Sequence, residues 1–165
     1  MAGYKSNGAA GTDGAVDNRA WSALFTYTLG GQSLGAGYQR LTGKSDFPFL
    51  NQGDGNAPYL ITSRQIGRFQ YAGERTWLAQ YSYDFAHWGL SGLTAAVVYL
   101  KGDGIQEAHT GGEWERDLTL GYVISQGGLK GLGFSWLNGT LRTGVSGQRS
   151  QDENRLIVSY RFALL

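Results

Sequence analysis

Three consecutive segments between Arg75 and Ser125 restrict what this chain can fold into more than any other feature. The first reads RTWLAQYSYDF, with Trp77, Ala79, Tyr81, Tyr83 and Phe85 at alternate positions and Leu78, Gln80, Ser82 and Asp84 between them. A repeat of two residues is the repeat of a β-strand with two unlike faces. The second segment continues it with Leu93, Ala95, Val97 and Tyr99, and the third with Leu118, Leu120, Tyr122 and Ile124. The segments are joined first by a tight turn and then by a longer polar loop, and their apolar faces carry aromatics near the ends. Strands of about 9–11 residues with an apolar outer face and aromatic girdles describe a transmembrane β-barrel.

Composition agrees. The 165 residues include 27 Gly but only 2 Pro, and aromatics make up 13%. That mixture suits a sheet-rich protein whose turns are built by Gly, Asn and Asp. The mean hydropathy of −0.30 argues against transmembrane helices but not against strands, whose alternating faces average out. The longest apolar run, Leu93 to Leu100, is far short of the roughly 18 residues a spanning helix needs. A net charge of +1 gives no nucleic-acid footprint. With no Cys there is no disulfide framework or thiolate chemistry. The first residues, MAGYKSNGAAG, contain no apolar core of a signal peptide. The expectation is that a leader has been removed or that the chain is a piece of a larger barrel.

Taken in order, residues 1–6 read as the end of a strand. Strands are expected at 19–30, 32–43, 75–85, 89–101, 113–125, 131–143 and 153–164. Gly30-Gly31 is a two-residue hairpin signal. Short connections near 30–32, 86–89 and 126–131 alternate strictly with long ones at 7–18, 44–74, 102–112 and 144–152. Outer-membrane barrels combine short periplasmic turns with longer extracellular loops. The chain therefore reads as one all-β, antiparallel, up-and-down domain of about seven or eight strands. Residues 44–74 form its long extracellular loop, either a gate or a packed cap. In the last strand Leu156, Val158, Tyr160, Phe162 and Leu164 share one face, and Arg155, Ile157, Ser159 and Arg161 the other.

Several stretches, in order, resemble one family. They are DFPFLNQGDGNAPYLI, GERTW before YSYDFA, GLSGLT with its following Tyr99 and Lys101-Gly102-Asp103, EWERDLTLGYV, GGLKGLGFSW and ENRLIVSY. Together they resemble the C-terminal part of the OprD-type porins, substrate-specific outer-membrane channels of Gram-negative bacteria. The resemblance implies a single-chain barrel of about eighteen strands, of which this chain is less than half. It also implies that the inward-folded constriction loop belongs to the N-terminal half, outside this chain. Its further implications are an outer-membrane location, passage of small anionic or amino-acid nutrients along a ladder of Arg and Lys, and no cofactor. The implied partners are the bilayer and its lipopolysaccharide, the barrel-assembly machinery that reads a terminal strand, and either the missing N-terminal strands or further copies of the chain.

The ladder candidates are Arg142 and Arg155, near the loop between the last two strands, Arg161 on the inward face of the last strand, and Lys101 at the end of 89–101. Gln39 and Asp84 complete the lumen set as polar groups. The bland alternative for an inward Arg is a partner such as Asp84 or Asp117. Asp54 and Asp103, in GDG contexts, lack the repeated acidic pattern of an EF-hand and read as turn residues. His87 and His109 sit apart, with no constellation for a triad or metal site.

Three functions compete. A passive selective channel uses a polar and charged lumen. A small closed barrel of about eight strands would be filled by its own side chains, which the inward Leu24, Leu78, Val98, Leu100 and Leu137 favour; it would act as a membrane anchor or a structural or adhesion protein. A soluble lipocalin-like binder would expose Trp21, Trp77, Trp136, Tyr81 and Phe134 as a large apolar patch, which disfavours it.

Overall fold

The computed structural model describes residues 2–6, 16–48, 60–106 and 111–161. Phe162, Leu164, Asp54 and His109, singled out above, lie outside the described residues. Eight strands follow one another: β1 (Ala2–Ser6), β2 (Val16–Leu29), β3 (Gln32–Gly43), β4 (Arg75–Asp84), β5 (Leu93–Asp103), β6 (Glu113–Val123), β7 (Leu132–Thr143) and β8 (Gln151–Tyr160). Each pairs antiparallel with the next, so sheet order is chain order. Among the described residues β1 and β8 each pair on one side only. Among these residues the sheet is open, and they form no self-closed eight-strand barrel.

The short connections follow from their residues. Gly30 and Gly31 have φ of 55° and 81°, the double left-handed turn whose twist matches the flanking strands and which side chains resist. The connection near 86–89 is a 3-10 helix, Phe85–Trp88, ended by Gly89 in the left-handed region. It delays β5 to Leu93, four residues beyond the start expected at 89.

The register fixes two faces. Trp21, Phe25, Tyr38, Trp77, Tyr81, Leu120, Phe134, Trp136 and Val158 lie on the outer one, where large apolar side chains stay exposed. Its rings form a girdle. Trp21–Tyr38 centroids are 6.0 Å apart and Tyr38–Trp77 4.6 Å. Tyr83, Phe85 and Trp88 cluster near the short turns, at 4.9–5.6 Å. An apolar furrow of about 690 Å³, walled by Tyr81, Tyr83, Trp88 and Trp136, also opens on this face. It belongs to the hydrocarbon-facing surface and not to a polar site.

The inner face is covered by the chain itself. Residues 60–74, expected as part of an extracellular loop, fold back onto the sheet. Phe69 packs on Leu78 and Leu100, with Val98 at the margin. Phe47 and Leu60 close over Ala20 and Leu41. Ile66 lands on Gly139, where an added Cβ would come within 2.9 Å of its Cδ1. The inward leucines are therefore the seat of this segment.

Candidate functional site

The inward segment, 60–74, is held to the wall mainly through its backbone. Its amides would be orphaned by folding away from water, and buried N–H groups need acceptors. Carboxylates supply them. Glu115, fully buried on β6, accepts from Ile66 N–H at 2.9 Å and Gly67 N–H at 2.6 Å. A Cβ at position 67 would lie 2.6 Å from Glu115 Oε2, so any larger residue there has to displace the carboxylate that accepts these amides. Asp117, one inward step along the same strand, accepts from Gln65 N–H at 3.4 Å. Asp46 accepts from Ala72 N–H at 2.8 Å, and Glu74 from Tyr71 N–H at 3.0 Å. Gln39 donates from Nε2 to the Phe69 carbonyl at 3.1 Å. Phe69 itself adopts φ of 52°, a strained conformation for a bulky residue. Its fully buried ring offsets that cost.

Glu74 is the most perturbed of these groups outside the strands. Burial, and then the neighbouring Glu113 carboxyl, push its pKa up to about 9. Its carboxyl nests against Gly102, where a Cβ would be driven into Oε1. Burial first, then Glu113, Glu74 and Asp46, also push the Tyr71 phenol up to about 12. Arg64 is pulled down by burial, while Asp117 and Glu115 act in the opposite sense.

Beside the segment a polar cleft of about 610 Å³ is lined by Arg64, Gln65, Arg68, Asp117, Thr119 and Arg155, among others. Arg155 makes a two-pronged pair with Glu153, at 2.5 and 2.7 Å, and donates to the Gln65 carbonyl at 3.1 Å. The cleft thus joins three guanidinium groups and one wall carboxylate, a set suited to small ions and zwitterions.

The residues picked out by sequence divide. Gln39 and Arg155 share the inner face and contact the inward segment. Arg161 follows β8, exposed, with its N–H on the Gly131 carbonyl. Asp84 serves the turn, accepting from Ala86 N–H at 2.9 Å. Lys101 and Arg142 do not line the lumen. Register pairs Lys101 with Trp77 and Trp114, and Trp114 with Arg142, so both lie on the outer face. Arg142 is held there by Asp152 at 2.9 Å. On β2 to β7 the inner positions carry Asp84, Glu113, Glu115 and Asp117 but no Lys or Arg. Arg64 and Arg68 escaped sequence analysis because they sit in a non-periodic segment. His87 lies over the Gly30–Gly31 turn, a packing position.

An antiparallel meander with an aromatic apolar outer face and a polar inner face narrowed by its own chain defines a β-barrel porin of the outer membrane. The family model described as "outer membrane porin, OprD family" matches residues 1–164, and the chain belongs to that family. It is 34% identical over 152 residues to the porin-like protein GalP of Pseudomonas putida, covering 92% of this chain and 36% of that protein. It is 29% identical over 174 residues to Porin D of Pseudomonas aeruginosa, covering 92% and 39%. Among solved structures, OccK8 (OprE) of Pseudomonas aeruginosa superposes with a TM-score of 0.84 at 57% identity, over 99% of this chain and 40% of that one. OccK5 (OpdH) of the same organism gives 0.85 at 42% identity, over 94% and 42%. The chain spans about two fifths of the length of these relatives. These relatives are porins, a non-enzymatic family of the outer membrane.

Proposed function

We propose that this chain is the wall segment of a selective diffusion channel, and that its inward segment 60–74 sets both the width and the charge of the passage. The observation that carries this reading is the anchoring of Ile66 and Gly67 amides on Glu115. That anchoring holds Arg64 and Arg68 over the polar cleft. Selection is by field and width, with no covalent step. Arg64, Arg68 and Arg155 attract the carboxylate of a small solute, and Asp117 faces the ammonium of an amino acid. Small carboxylates and amino acids are therefore the solutes the cleft suits. Gln39 acts by holding the segment.

The long connections face the cell exterior and the short turns the periplasm in this reading, which the alternation of lengths supports. The edges β1 and β8 pair with further strands of the complete barrel, because each unpaired backbone group in hydrocarbon costs several kcal/mol. The C-terminal strand is the element the barrel-assembly machinery engages.

The test uses the intact protein in planar bilayers under a salt gradient. Arg64→Gln with Arg68→Gln shifts the reversal potential toward cation preference and slows carboxylate uptake into liposomes. An unchanged reversal potential would refute the role of the segment.

A further inference from the structure

The strand charges are sorted by face, and the outer face has no use for its share in a lumen mechanism. Each of β2 to β7 carries one basic residue at an outer position: Arg19, Arg40, Arg75, Lys101, Arg116 and Arg142. All lie in the half of their strand next to the long connections. The outer positions of the same strands hold two acids, Asp17 and Asp103. A cation on the outer face of a barrel strand is costly at the bilayer midplane and nearly free at the interface. A band of them beside the girdle of Trp21, Tyr38 and Trp77 marks where hydrocarbon gives way to headgroups.

The band is also under-compensated. Arg40 stands directly opposite Arg75 in the register, and Arg19 lies one diagonal step from Arg40. Like charges directly opposite on one sheet face are destabilising. Arg75 is relieved by Asp103 at 2.8 Å, and Arg142 by Asp152. Arg116 donates to the uncharged Asn138 and Thr140. Arg19, Arg40 and Lys101 have no acidic partner among the described residues, and all three are exposed. Directly opposite Cβ atoms lie about 5 Å apart and diagonal ones about 7–8 Å. Guanidinium groups at that spacing can share the oxygens of one phosphate.

We propose that Arg19, Arg40 and Arg75, continued by Lys101, form a docking surface for the phosphate-bearing sugar headgroup of lipopolysaccharide in the outer leaflet. A lipid is the occupant because the band is continuous with the hydrocarbon-facing girdle and lies on the opposite side of the sheet from the cleft. A soluble anion would have to reach it through the headgroup layer. The proposal rests on the reading that the long connections face the cell exterior.

The test is native mass spectrometry of the intact protein in detergent. The probes are added lipid A, phosphatidylglycerol and phosphatidylethanolamine, with inorganic phosphate as competitor. The wild type retains lipid A over phosphatidylethanolamine. One cation at an anionic membrane surface contributes about fivefold, so Arg40→Gln with Arg75→Gln weakens retention about 30-fold. Arg40→Gln alone, which keeps the Arg75–Asp103 pair, weakens it about fivefold and serves if the double variant fails to fold. Arg149→Gln, in an exposed connection, changes nothing. Wild-type retention by the Arg40→Gln variants, equal retention of phosphatidylethanolamine, or displacement by inorganic phosphate at equal concentration would overturn the docking surface. Impermeant labelling of Asp103→Cys on intact cells reports orientation separately. Labelling only after permeabilisation would overturn the orientation even where lipid retention persists.

Discussion

Replacing Glu115 with Ala tests the anchoring of the inward segment most directly. Glu115 is fully buried, and its two oxygens accept the Ile66 and Gly67 amides at 2.9 and 2.6 Å. Truncation leaves two buried donors without acceptors, at about 1–3 kcal/mol each, or about 2–6 kcal/mol against the docked state. The other half of the segment keeps its own anchors. Phe69 remains on Leu78 and Leu100, Ala72 on Asp46, and Tyr71 on Glu74. Burial of one such ring contributes about 1.5–3 kcal/mol. The two effects fall on different residues, so the expected outcome is local. Residues 63–67 detach, while 69–72 stay seated. Amide exchange in the intact protein is expected to accelerate at Ile66 and Gly67 but not at Tyr71 and Ala72. Trypsin cleaves after Arg64 sooner, and single-channel conductance rises with more open-state noise. Glu115→Gln keeps one acceptor oxygen and is expected to lose about half as much. Unchanged exchange at Ile66 and Gly67 in Glu115→Ala would refute the anchoring. Equal acceleration at 71–72 would refute the division into two halves.

Glu74, with its pKa raised to about 9, is protonated at pH 7 while an unfolded glutamate is not. The folded state therefore binds the extra proton between about pH 4.5 and 9, so seating of the segment weakens as pH rises through that window and levels off above it. Exchange at Tyr71 and Ala72, corrected for its intrinsic pH dependence, measures this, and Glu74→Gln is expected to flatten the profile. On the outer face, Leu120→Arg near the middle of β6 is expected to cost about 2–4 kcal/mol of folding free energy in lipid vesicles. Its neighbour Thr119→Arg, on the inner face, is tolerated, and equal losses would reverse the faces. Cys introduced at Asp103 reacts with an impermeant maleimide on intact cells, whereas Cys at Gly31 does not; the opposite pattern would invert the topology.

The period of two in RTWLAQYSYDF and its neighbours determined the strands, their faces and their order, because pleat alternation is a property of consecutive residues. It also contained the answer for Lys101 and Arg142. Carried strictly from Leu93 and Phe134, the period puts both on the outer face, and proximity to a loop was a poorer guide than parity. Gly30-Gly31 likewise announced its own hairpin, since the turn depends on those two residues alone. The inward segment was not legible. It has no period, and its anchors join residues far apart in the chain: Glu115 is 49 positions from Ile66, and Arg155 is 90 from Gln65. Nothing local distinguishes Glu115, a carboxylate buried under a backbone amide, from a solvated one. Only the sheet, by bringing β6 and β8 beside residues 60–74, turned inward leucines into a seat and acids into acceptors. The same packing brought Arg64 and Arg68 of the segment to one cleft with Arg155 of the wall. Alternation is encoded residue by residue, whereas docking is decided by which amides are left without water once the strands have paired.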